Sequence, residues 1–111
     1  MIKEIKINNS IFTYIDIQIQ LSLGTHISMY ITFDISKNKD HKKELIDIYE
    51  SKSKFDIIST TFISKSNLIK SIDIDKNYIT LTIKTEFFEN LSQNIRRDDI
   101  ISDILGIYHF S

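Results

Sequence analysis

The chain contains three histidines, His26, His41 and His109. They fall in a turn-like stretch, a charged segment and the closing residues, and none has a partner at metal-ligand spacing. Solvated imidazoles are the reading that this placement supports. Asp73 and Asp75 share one parity of a strand-like stretch, as two carboxylates in acid–base chemistry can. They also flank a turn, where solvated carboxylates are the commoner occupants. Asp98 and Asp99 open a helical pattern and are accounted for by capping and the helix dipole. No glycine-rich phosphate loop and no serine in a nucleophile-elbow context occur. The absence of cysteine removes thiolate chemistry and any disulfide framework. No catalytic residue, metal site or cofactor is expected, and the chain reads as a non-enzyme.

Two groups of residues point instead to binding. Lys37, Lys39, Lys42 and Lys43, with Lys52 and Lys54 close behind, form a basic stretch. A small barrel with basic loops and exposed aromatics can hold single-stranded nucleic acid in the manner of an OB-fold. The net charge of −1 and the aspartates among these lysines favour solvated loops. The second group is aromatic. Phe12, Tyr14, Tyr30 and Tyr78 all lie on the register opposite the isoleucines. If the isoleucine face fills a core, these rings point outward, and clustered exposed aromatics mark a protein contact surface. The bland alternative is that a helix or the 36–54 segment of the same chain covers them.

The elements that must position these residues are mainly strands. From Ile11 to Leu23 the odd positions read Ile, Thr, Ile, Ile, Ile, Leu, Leu, a period of two that predicts a strand with one face in a core. Drawn straight it would span about 43 Å, more than twice an ordinary strand, so it must bend as barrel and sandwich corner strands do. A short strand around Ile5 and Ile7 precedes it, joined through Asn8-Asn9-Ser10. After Gly24-Thr25-His26 the alternation resumes from Ile27 to Ile35, completing a long hairpin. Ser36–Lys43 reads as a charged loop. Glu44–Glu50 fits either a helical stripe of Leu45, Ile48 and Tyr49, with Asp40 as cap, or a short strand. Phe55–Ser64 reads as one strand, bulged near Ile57 and Ile58. Ile69–Asp75 and Tyr78–Lys84 form a second hairpin about Asp75-Lys76-Asn77. A short helix is predicted near 97–106, with Ile100, Ile101, Ile104 and Leu105 on its buried face and Gly106 at its end.

These readings define a mainly β chain: a small antiparallel β-barrel of about six strands with a short C-terminal α-helix, forming one domain over residues 1–111. The apolar fraction of 41% and charged fraction of 26% are those of ordinary globular proteins. Isoleucine supplies more than a fifth of the chain, while Ala and Val are absent, a bias expected of an AT-rich genome. The first ten residues carry no signal-peptide block and no apolar run is long enough to span a bilayer, so synthesis in the cytosol is expected.

The segment from Phe55 to Tyr108 resembles the first barrel domain of the baseplate hub proteins of contractile-tailed phages and related injection systems. The resemblance is carried by a return strand, a hairpin ending in the alternating YITLTIKT, and a connector over Phe87–Ile95. An acidic–x–Ile–x–acidic–Ile–Leu–Gly helix then follows at Asp99–Gly106. The opening hairpin, from Ile11 to Ile35, sits where that family begins its barrel. Hub proteins are several times longer, with a second barrel, and richer in glycine at barrel bends, so the chain is expected to be a fragment, a split hub or a small one-barrel tail protein. The resemblance implies a structural, non-enzymatic role in a homo-oligomeric ring joining tail tube to spike. Its partners would be tail or spike proteins and its location the virion tail or injection apparatus. Phe12, Tyr14, Tyr30 and Tyr78 are then the candidate interface residues. The alternative is the OB-like nucleic-acid module using Lys37 to Lys54, and a third reading is a small immunity or adaptor protein.

Overall fold

The computed structural model describes residues 3–21, 27–91 and 107–110. Alternation produces strands β1 (Glu4–Ile7), β2 (Ser10–Leu21) and β3 (Ile27–Asp34). Helix α1 (Lys42–Ser51) follows, then β4 (Phe55–Ile58), β5 (Phe62–Ile74), β6 (Tyr78–Thr85), β7 (Phe87–Asn90) and β8 (Ile107–Phe110). All pairings are antiparallel, and six strands close into a barrel in the order β1-β4-β5-β6-β3-β2. The two remaining strands lie outside that ring, β7 on β5 and β8 on β2. The six-stranded barrel expected from the sequence is therefore present. The helix expected near 97–106 lies outside the described residues, as does the turn at Gly24-Thr25-His26.

The two long strands are corner strands, and both change inward parity part-way along. In β2, Phe12 is fully buried while Ile11 is 58% and Ile15 is 38% exposed; beyond them Ile17 and Ile19 are fully buried. The β2–β3 register shifts between Tyr14 and Asp16. One extra residue in a ladder moves every later side chain to the other face. The odd register thus faces inward only after the bulge, and Phe12 is corrected from surface to core. Strand β5 does the same: Phe62 and Ser64 point in before Ser66, Asn67 and Ile69 after it. Ser66 holds the left-handed backbone, φ 56°, that this bulge requires. Each corner strand therefore serves one half of the barrel with its first part and the other half with its second.

Where a bulge or strand end breaks the ladder, a buried asparagine restores it. Strand β3 ends at Asp34, leaving Thr13 of β2 without a strand on that side. Asn38, 2% exposed, fills the place: Thr13 N–H donates to its Oδ1 at 3.0 Å. Its Nδ2 donates to the carbonyls of Thr13 (2.9 Å) and Asp34 (2.8 Å). At the second corner Asn67 Nδ2 donates to the carbonyls of Phe55 and Ser64, both at 2.9 Å, and its Oδ1 accepts from Ser64 Oγ at 2.6 Å. Leaving such groups unpaired in the core costs about 1–3 kcal/mol each, which is why both amides are bonded.

Residues 42–51 resolve the helix-or-strand alternative in favour of the helix. Leu45 and Ile48 are buried and Tyr49 packs against the core, one stripe at helical spacing. Asp40 does not cap it: His41 is the N-cap residue, with no side-chain cap bond, and Lys52 closes the helix in the left-handed conformation, φ 54°. Glu44 in the first turn accepts from Ser10 Oγ at 3.0 and 2.8 Å, tying α1 to the start of β2. Phe55–Ser64, expected as one strand, is split into β4 and β5 by a turn that Ser59 holds, its Oγ accepting from the amides of Thr61 (3.1 Å) and Phe62 (3.0 Å). The β5–β6 hairpin turns where expected, with Asp75 Oδ1 accepting from Asn77 (2.8 Å) and Tyr78 (2.7 Å).

Candidate docking surface

The proposed aromatic cluster separates into different environments. Phe12 lies inside, its ring centroid 5.5 Å from that of Phe33 and 4.8 Å from that of His41. Tyr14 pairs with inward-facing Phe33 ahead of the bulge and packs against the core. Burial, and then the charge of Asp16, hold its hydroxyl pKa above the ordinary 10.0. Tyr30 is half-buried on the outer face between Gln18 and Thr82. Tyr78 is 44% exposed opposite Asp34, at the start of β6 and four residues before Thr82, or about 13 Å away. Tyr30 and Tyr78 share a face without touching one patch.

A different surface gathers apolar area. The registers align Ile11, Lys6, Ile58 and Ile63 in one row across β2, β1, β4 and β5, with Glu89 of β7 at its end. At about 4.8 Å per strand the row spans roughly 14 Å from Ile11 to Ile63. Ile11 is 58% and Ile58 50% exposed, and Ile63 is half-buried. In the adjacent row Phe87, 46% exposed, stands opposite Lys65. Near it Lys54 Nζ meets Glu86 Oε1 at 2.8 Å, and that hydrogen bond holds the Glu86 carboxyl below its usual range. Contiguous aliphatic side chains edged by charges are the pattern of a protein contact. The sequence hides this row because Ile11 falls on the parity that predicts core and Ile58 beside a predicted bulge. The Ile57-Ile58 doublet was the available signal, since one of two neighbours on a strand must face out.

The lysines do not form one basic face. Lys37 and Lys39 sit on 3-10 turns, Lys42 and Lys43 start α1, and Lys52 ends it. The helix between is about 15 Å long, and Lys54 is engaged by Glu86. A shallow groove of about 500 Å³ against α1 is lined by Asn8, Asp40, Lys43, Glu44, Asp47, Ile48 and Ser51, so carboxylates outnumber the amine.

The residues considered for chemistry are similarly dispersed. His41 Nδ1 is 3.5 Å from Glu44 Oε2. His109 stands in β8 opposite Gln18, and His26 lies outside the described residues, as do Asp98 and Asp99. Asp73 pairs with Thr80 while Asp75 is occupied by its turn. No group of three or more potential metal ligands occurs among the described residues. No helix among the described residues is long and apolar enough to cross a membrane. Comparison with family models, with curated proteins and with solved structures finds no match.

Proposed function

We propose that this chain is a structural, non-enzymatic subunit that assembles through the outer face of its barrel. On the resemblance of Phe55–Tyr108, the assembly is the baseplate hub of a phage tail or contractile injection machine. Its neighbours would be further copies in a ring and the adjoining tube or spike proteins. The observation that carries the reading is the exposed row Ile11–Lys6–Ile58–Ile63, on a barrel whose interior is filled by its own side chains. Burying aliphatic surface of this kind returns about 25 cal/mol per Å², enough to favour association once several such side chains are covered.

The test is Ile58→Asp. Its side chain is half exposed, so the fold keeps its far-UV circular dichroism, while species larger than a dimer disappear from light scattering. Unchanged sizing would overturn the reading. So would oligonucleotide binding that falls steeply with salt, which is the signature of counterion release and of the nucleic-acid alternative.

A further inference from the structure

Strand β5 is flanked by β4 and β7 along its first half and by β6 along its second. From Leu68 to Ile74 no described strand pairs with its other edge. The ladder itself shows which backbone groups face that edge. Asp75 N–H donates to the Tyr78 carbonyl at 3.0 Å, so Asp75 points toward β6. Direction alternates along an antiparallel strand, so Asp73 also points toward β6, while Ile72 and Ile74 present their N–H and C=O groups outward. Helix α1 packs against β5, yet Lys70, Ser71 and Asp73 are exposed and Ile74 is 37% exposed, so the helix leaves this end open. The corresponding edge of β2 is treated differently: Asn38 satisfies both backbone groups of Thr13. Among the described residues no side chain does this for Ile72 or Ile74.

We propose that this edge pairs with the same edge of a second copy, antiparallel, about a two-fold axis at Ile72. Charge selects both occupant and register. With the axis at Ile72, Ser71 stands opposite Asp73 of the second copy. The β5–β6 register shift between Ile69 and Ser71 turns both Lys70 and Ser71 to the outer face. Lys70 then falls beside Asp73 and Asp75 of the second copy, and symmetry repeats the contact. Moving the axis to Ile74 would set Asp73 directly against Asp75, and like charges opposite one another destabilise a ladder. A two-fold contact also matches edge lengths automatically. The contact goes beyond the baseplate reading and uses a different part of the barrel from Ile58.

Amide exchange measured across protein concentration tests it. Ile72 and Ile74 amides gain protection as concentration rises, in step with a doubling of mass by sedimentation. Asp73→Lys raises the dimer dissociation constant about ten-fold, and adding Lys70→Asp to it restores pairing. Ile58→Asp leaves the dimer intact. Rapid exchange of these amides at every concentration overturns the proposal, as does protection that does not depend on concentration. A dissociation constant indifferent to Asp73→Lys overturns it equally.

Discussion

At the scale of single residues, Asn38 and Tyr14 show how much one polar group can decide. Asn38 uses its whole amide within the barrel wall, so Asn38→Ala leaves Thr13 unpaired and opens a small void. We expect a loss of about 2–4 kcal/mol in urea unfolding, at the upper end of single polar deletions. Tyr14 makes a pH-dependent contribution. Its folded pKa is raised above 10.0, by burial first and by Asp16 second. The unfolded chain therefore loses this proton first. The stability tied to the neutral phenol is complete below pH 10 and is lost as pH climbs through the folded value. Thermal melts between pH 9 and 11 check this, because Tyr14→Phe flattens that part of the profile. Glu86 works in the opposite sense, its lowered pKa making the Lys54 contact fade on acidification, although both groups are too exposed for the pair to matter much.

At the scale of elements, parity is the property that matters. Deleting Ile15 would remove only the unpaired residue of the bulge, joining Tyr14–Phe33 directly to Asp16–Thr32 and leaving Ile17 and Ile19 inward, whereas deleting Gln18 within the regular ladder would carry Ile19 to the outer face. A buried isoleucine is worth about 1.5–3 kcal/mol, so urea unfolding is expected to show the Gln18 deletion less stable by at least that much and the Ile15 deletion much less affected. The same bulge explains what could and could not be read from the sequence. Alternation revealed β1, β2, β3 and both hairpins, because a half-buried sheet imprints period two. It hid the bulge because isoleucine occupies odd positions on both sides of it, the exposed Ile11 and Ile15 looking like the buried Ile17 and Ile19. A composition in which one apolar residue serves inside and outside erases the contrast that marks a face. The same parity predicts Phe12 on the surface, whereas it lies fully buried. Helix α1 was legible only as an alternative, its ten residues being too few to separate the two periods. The split between β4 and β5 was hidden because Ser59–Thr61 looks like strand, although the Ser59 side chain builds a turn there.

At the scale of the whole molecule, the barrel is two curved halves joined along shared strands. Strands β2 and β5 each contribute to both halves, so neither half can be removed without breaking the other. The outer row and the β5 edge that no described strand pairs lie on different parts of this body, which allows contacts of two symmetries on one small chain. That separation is why Ile58→Asp and Asp73→Lys are expected to give different assemblies rather than the same monomer.

The closure between β1 and β4 rests on two residue pairs, Lys6–Ile58 and Ile7–Ile57, against eight between β3 and β6. It is the shortest join in the wall, and the row from Ile11 to Ile63 runs directly across it. A neighbour seated there would act as a clasp, since a partner that binds only the shut form adds its binding free energy to folding. The melting temperature should then climb with protein concentration, and Ile58→Asp combined with Asp73→Lys, which also removes the β5-edge contact, should abolish a climb that Asp73→Lys alone leaves in place.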